Sequence, residues 1–318
     1  MGKVVLLSKD IFIFNGINRS LLVDITNGNY HIISNNWRNL ILQLNNSTKQ
    51  IISTNLNENE KDDFESLLHF LNKHKYIFEV DKKISYQFKN IELGFDTPFI
   101  FDILFCEIDD KNFDTINTFI TKSKPNFFGG FNLILYNISL ININKLEKTI
   151  KSLPENKNIN IYLSNITKKH FSNKNNEKVI FHHAEINDNL QLKKYFYNRF
   201  PIMNIGMKNI LESKNLNYFY NKTVFINRNG DVVRSLFETH SKVFIKNSDL
   251  SNNEILKMIS NEEFKELWDI NNSKIIVCND CEYHRVCIDC RTPFFENDTW
   301  KKESCLYNPY TSKWKEIK

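Results

Sequence analysis

The sequence predicts an α/β protein with α+β ends, and three observations lead there. Between residues 98 and 186, apolar runs alternate with stretches of helical periodicity, the pattern of a parallel sheet with crossover helices. Before that segment lies a small unit of strands followed by helices. After 216 the alternation stops, and five of the six cysteines fall between Cys278 and Cys305. With 318 residues and 41% hydrophobic content, the chain is long enough for about two domains or three small ones. The divisions expected are 1–90, 91–215 and 216–318.

The first unit opens with the runs VVLL (4–7) and IFIF (11–14), then the segments SLLVDI and YHII around Thr26-Asn27-Gly28-Asn29. An Asn-Gly pair between apolar runs is a strong hairpin signal. Trp37, Leu40, Ile41 and Leu44 share one helical face, and Phe64, Leu67, Leu68 and Leu71 share another. YIFEV (76–80) closes a winged-helix-like domain. In the middle unit, FIFDILFCEI, NLILYN, INIYL and KVIFHHAEI read as strands, with helices at 113–122 and 143–153. That allows two to four βα units; a full barrel of roughly 250 residues does not fit. From 216 onward, TVFINRNGDVVRSLF reads as a hairpin turning at Asn229-Gly230. Ser251 to Glu254 form a capping box that opens one helix running from Ile255 to Trp268.

Composition excludes several classes. The net charge of +5 comes without an arginine-rich stripe, so no nucleic-acid partner is expected. The run from Pro98 to Phe105 contains Asp102 and is far too short to span a membrane. The start, MGKVVLLSKD, lacks the long apolar stretch of a signal peptide. A cytoplasmic location is expected, where clustered cysteines usually hold metal and are seldom disulfide-bonded.

Cys278-x2-Cys281-x5-Cys287-x2-Cys290, with Cys305 fifteen positions beyond, is a metal-ligand pattern. Each C-x-x-C turn brings two thiolates to one group. Zinc ribbons separate their pairs by roughly 15–20 residues, and the gap here is five. One [4Fe–4S] cluster held by four thiolates is the expectation, with zinc as the alternative. His284 reads as a packing or surface residue.

These residues carry a family resemblance. FKELWDINNSKIIVCNDCEYHRVCIDCR followed by CLYNPYTSKWKE resembles the SPASM-domain peptide maturase of grasp-with-spasm systems, and FNGINRSLLVDITNGNYHII resembles that family's N-terminus. SPASM domains are auxiliary-cluster modules of radical S-adenosylmethionine enzymes. The resemblance implies a peptide-recognition-like (RRE/PqqD-like) domain, a shortened radical-SAM-like βα core and a C-terminal SPASM-like Cys-rich metal module. It implies Cys278, Cys281, Cys287 and Cys305 as ligands of one auxiliary cluster. Cys290 is then an orphan of a second cluster or an alternative ligand. The family's upstream cysteine pair is missing: Gly230 is in place, but Ser235 stands where the second cysteine belongs. The Cys-x3-Cys-x2-Cys motif that holds the S-adenosylmethionine-cleaving cluster is also missing, because Cys106 is followed by Asp110 and Phe113 at the two required positions. No bound S-adenosylmethionine is therefore expected.

No catalytic residue stands out. Cys106 reads as core, Gly129-Gly130 as a loop before a strand, and His182-His183 as neighbours on opposite strand faces. Glu107, Asp109 and Asp110 read as a solvated strand end. The expected function is accessory: maturation of a ribosomally made peptide by binding the precursor within residues 1–80 and partnering an ATP-grasp ligase. Trp300, Tyr307, Tyr310 and Trp314 around Cys305 are expected to form one patch for that partner. A redox peptide maturase using the remaining cluster and a zinc-stapled adaptor are the alternatives.

Overall fold

A computed structural model describes residues 2–88, 96–163, 179–184, 186–199, 202–238 and 240–315. Strands β2 (Ile11–Asn15), β3 (Arg19–Asp24) and β4 (Asn29–Ser34) form an antiparallel sheet in that order. The turn between β3 and β4 pairs Asp24 with Asn29, and Gly28 takes a φ of +65° that suits glycine. The Asp24 carboxylate accepts the amides of Thr26 and Asn27 at 3.0 and 3.1 Å, fixing the turn. Helices α1 (Asn35–Leu44), α2 (Lys49–Thr54) and α3 (Glu58–Lys73) follow. Both predicted apolar stripes pack into one core with Leu22, Ile33 and Tyr76. The sequence reading missed α2, six residues that bury only Ile52 and so show no period. Strand β1 (Lys3–Leu7) pairs antiparallel with β5 (Ile77–Asp81) and ties the two ends of the domain together.

The middle of the chain builds a mixed α/β layer. Strands β6 (Phe101–Ile108), β7 (Phe128–Leu135), β8 (Asn158–Leu163) and β9 (Val179–His183) run parallel as consecutive neighbours. Helices α4 (Phe113–Lys122) and α5 (Leu140–Ser152) cross between them, burying Ile116, Phe119, Ile143 and Leu146 on one sheet face with Cys106. The hairpin after 216 belongs to this same sheet. Its first strand, β11 (Thr223–Ile226), pairs parallel with β6, and β12 (Val232–Val233) and β13 (Val243–Ile245) extend the edge to seven strands. Between β9 and β11 lie α6 (Asn189–Arg199), β10 (Ile202–Met203) and α7 (Met207–Glu212), helices the sequence reading did not foresee.

Three expectations need correction. Gly129 and Gly130 lie inside β7 and not in a loop. A Cβ on Gly129 would stand 2.8 Å from the Asp102 carbonyl, and one on Gly130 would stand 2.8 Å from that of Asn158. The expected helix from 255 to 268 is broken: α8 (Asn252–Met258) ends, and Asn261 caps a new start by accepting the Phe264 amide. Finally, the strand end at Glu107 is not solvated. Glu107 is 1% exposed and accepts from the Tyr136 hydroxyl at 2.5 Å and the Arg228 amide at 3.0 Å. Asp109 is buried against the Arg228 guanidinium at 3.0 Å, and Asp110 accepts the Ser139 amide at the start of α5.

Candidate metal centre

The cysteine loop is built from tight turns. Val277 has a φ of +71°, a region that β-branched residues rarely enter, and it redirects the chain into Cys278. The Cys281 amide donates to the Cys278 carbonyl at 3.1 Å, His284 to the Cys281 carbonyl at 3.1 Å, and Cys287 to the Tyr283 carbonyl at 2.9 Å. Cys287 then enters β14 (Cys287–Ile288), which pairs with β10. Cys305 arrives from the far side, after the hairpin of β15 (Phe294–Glu296) and β16 (Thr299–Lys301).

These turns bring Cys278, Cys281, Cys287 and Cys305 to the wall of one cavity of about 30 Å³, together with Asn272, His284 and Asp289. All four are free thiols. Cys290 does not line it. Cys290 is fully buried in a separate aromatic core, where its carbonyl accepts the Tyr220 hydroxyl at 2.8 Å. Ser235, at the position of the absent family cysteine, is 1% exposed and sits in the same network, 2.9 Å from the Thr292 hydroxyl and 3.1 Å from that of Tyr220. Hydroxyls and a phenol ring therefore occupy the surroundings of Cys290.

Burial pushes the Cys278 thiol up to about 12 and the Cys287 thiol well above its usual range. Coordination to a cation would offset that effect, since a metal ligand is bound as the thiolate. The Tyr307 amide points at the Cys305 sulfur at 3.4 Å, the kind of donor that stabilises thiolate charge. His284 donates through Nδ1 to the Cys281 carbonyl at 2.7 Å, and burial holds its pKa down. Among the described residues, no group of three or more His, Cys, Asp and Glu side chains is arranged to hold one ion as placed. What marks the site is the chemistry of the wall: four unbridged thiols from two chain segments. Thiolate sites commonly close only as the metal draws the ligands together. The donor set fits a metal group held by four thiolates.

The N-terminal domain roofs this site. Leu21 and Val23 of β3, both fully buried, pack with Tyr283, Val286 and Tyr307 in a cluster that Cys281, Cys287 and Cys305 border. Arg19 donates to Glu282 at 2.6 Å and to the Tyr307 hydroxyl at 2.9 Å, and that hydroxyl donates to Glu282 at 2.6 Å. The Ile17 amide donates to the Asp280 carbonyl at 2.8 Å. Gly16 lies so close that a Cβ there would stand 2.6 Å from the Glu282 nitrogen. Tyr307 packs against Trp314 at a tilt and edge-on against Tyr283, and the Tyr310 hydroxyl reaches Asp280. Trp300 instead packs on Phe295 in the β15–β16 hairpin, so the expected four-residue aromatic patch is divided. Sequence reasoning missed Arg19 and Glu282. Their 263-residue separation leaves no local signal.

The sheet face opposite α4 and α5 is filled by rings. Phe105 contacts Tyr162, Phe196, Phe219, Phe225 and Phe237. Cys106 points to the other face and is fully buried, Phe113 is 1% exposed in the core, and Asp110 caps α5. His182 lies against Tyr162 and within 3.0 Å of the Asn160 side chain. Among the described residues no helix is long and apolar enough to cross a membrane.

No protein-family model matches the chain, and no curated protein matches it. Among solved structures, the chain is similar to Streptococcus suis SuiB bound to S-adenosylmethionine, with 11% identity over 91% of this chain and 96% of that one. The TM-score of 0.27 is too low to establish a shared fold.

Proposed function

We propose that this protein is a SPASM-like accessory of a peptide-maturation system. It binds a precursor peptide through its N-terminal domain and presents it to an ATP-grasp ligase. One metal group on Cys278, Cys281, Cys287 and Cys305 staples its C-terminal module. The observation that carries this reading is the convergence of those four thiols, without Cys290, on one cavity beneath the β2–β4 sheet. Together with the sequence resemblance, it supports a single auxiliary-type site. A [4Fe–4S] cluster there would supply electron transfer as well as cross-linking, and zinc would supply cross-linking alone.

The peptide-binding part of the proposal draws on β4. It is an edge of the three-stranded sheet and exposes Tyr30 and Ile32, two residues apart on one face. An added strand would gain backbone hydrogen bonds from that edge and place alternate side chains beside these two. The Asp110 and Phe113 positions, engaged as a helix cap and a core residue, support a role without cleavage of S-adenosylmethionine.

The test is anaerobic isolation with measurement of iron, sulfide and zinc, followed by reconstitution of ligase and precursor with and without this protein. The expected result is one metal group per chain, lost in Cys278→Ala and Cys305→Ala and kept in Cys290→Ala, with the ligase stimulated when the protein is present. Stoichiometric zinc without iron would reject the cluster. A ligase equally active alone, with no complex on co-purification, would reject the accessory role.

A further inference from the structure

The chain has a buried lysine that its fold does not account for. Lys302 follows β16, and its side chain is only 4% exposed. Lys157 is buried as well, but its ammonium donates to the carbonyls of Pro125 and Phe128 and lies over the Phe99 ring, so backbone dipoles and a ring satisfy it. Lys302 is placed otherwise. It donates to the Asn272 side-chain carbonyl at 3.1 Å and stands 3.6 Å from the Asp289 carboxylate. Asp289 is already engaged by the buried Arg291 at 2.8 Å, so Lys302 shares that carboxylate at the longer distance. Both partners of Lys302, Asn272 and Asp289, belong to the wall of the thiol cavity. Asn272 also donates to the carbonyls of His284 and Cys287, so the ammonium sits immediately behind the cysteine loop.

A buried ammonium that shares one carboxylate with a guanidinium needs further negative charge nearby. The groups facing it across the cavity wall are the four cysteines, which would bind a metal as thiolates. Four thiolates around a doubly charged centre, zinc or an oxidised four-iron cluster, carry two net negative charges. That is the sign and the place the ammonium lacks. We propose that Lys302 is a positioning residue for this metal group: its charge compensates the thiolate-held centre, holds it in place and destabilises the metal-free state. This rests on the reading of the four cysteines as ligands, and it adds a residue that no cysteine pattern contains.

The inference predicts opposite effects in two states, which an ordinary buried residue would not give. In metal-loaded protein, Lys302→Met should speed transfer of metal to a chelator by about tenfold or more, and Lys302→Arg should restore most of the retention. The thiolate-to-metal charge-transfer absorption of the loaded Lys302→Met protein should shift relative to wild type. In chelated protein the same Lys302→Met change should raise the melting temperature, because it removes a buried charge that has lost its counter-charge. Metal retention unchanged in Lys302→Met, or melting lowered in both states, would overturn the proposal. Wild-type protein that binds neither zinc nor iron and sulfide would instead overturn the ligand reading, and this proposal with it. That failure is visible in the wild type alone.

Discussion

Replacing Arg19 by methionine tests whether the N-terminal domain is seated on the cysteine loop by a charge clasp. The Arg19 side chain is 27% exposed and Glu282 is 2% exposed, so the change strands a carboxylate that, among the described residues, keeps the Tyr307 hydroxyl as its side-chain donor. Breaking a fully buried ion pair costs roughly 3–5 kcal/mol. Arg19 is a quarter exposed and water can partly replace it, which reduces the figure to about 2–3 kcal/mol. That cost falls on docking, because the core of the N-terminal domain is built from other residues. Amide exchange in 11–24 should therefore rise by roughly 30- to 150-fold, while exchange within 58–73 stays near wild type. Hydrogen-exchange mass spectrometry reads both segments in one experiment. Adding Glu282→Gln to Arg19→Met should recover part of the protection, since the stranded charge is gone. Unchanged protection in 11–24, or an equal rise across the whole domain, would refute the clasp.

Other outcomes follow from the same structure. Gly16→Ala should loosen the same contact, because its Cβ meets backbone at 2.6 Å, and exchange in 278–284 should rise with that in 11–24. Phe105→Ala should cost about 3–5 kcal/mol in denaturant titrations, since Phe105 is buried among five rings. Burial raises the Glu212 carboxyl to about 7, with Lys208 opposing that rise. A raised carboxyl favours the protonated folded state, so its contribution is full below the ordinary carboxylate range and is lost as pH rises through 7. Melting temperatures at pH 5 and pH 8 should differ by less in Glu212→Gln than in wild type. With reductant and S-adenosylmethionine the protein should release no 5′-deoxyadenosine above a blank; clear turnover would sink the reading of Asp110 and Phe113.

The elements legible in the sequence were those with a full period or a turn signature. Trp37 to Leu44 and Phe64 to Leu71 gave two helices, and Asn27-Gly28 gave the hairpin between β3 and β4. Helix α2, with a single buried residue, had too few turns to show a stripe. The placement of β11 beside β6 was invisible for a different reason. The two strands are 115 residues apart at their ends, Ile108 and Thr223, and a parallel partner is chosen by packing and not by local sequence. Glu107 was misjudged because its neutralising contacts, Tyr136 and Arg228, come from the ends of two other strands. At the cysteine site, spacing identified the candidate ligands. The resemblance left Cys290 as an orphan or an alternative ligand, and the fold places it apart from the other four, in the aromatic core.

Open parallel sheets ordinarily bind ligands beyond the carboxyl ends of their strands. Among the described residues, the acidic groups at the carboxyl end of β6 are already engaged. Glu107 and Asp109 meet Tyr136 and Arg228, Arg228 lies over the Tyr136 ring, and Asp110 caps a helix. The neighbouring sheet face is packed with phenyl and phenol rings. The unspent reactive groups lie elsewhere, at the junction where β3 and the cysteine loop meet, with four thiols on one side and the strand next to the β4 edge on the other. A metal drawn into that junction would tighten the loop that carries Glu282 and, through Arg19, the sheet proposed to receive a peptide. Linkage makes that effect mutual: whatever steadies β3 must raise the affinity for metal by the same factor. Metal affinity of Arg19→Met protein, measured by competition with a chelator at equilibrium, tests it directly, and an affinity equal to wild type would separate the two ends of the molecule into independent parts.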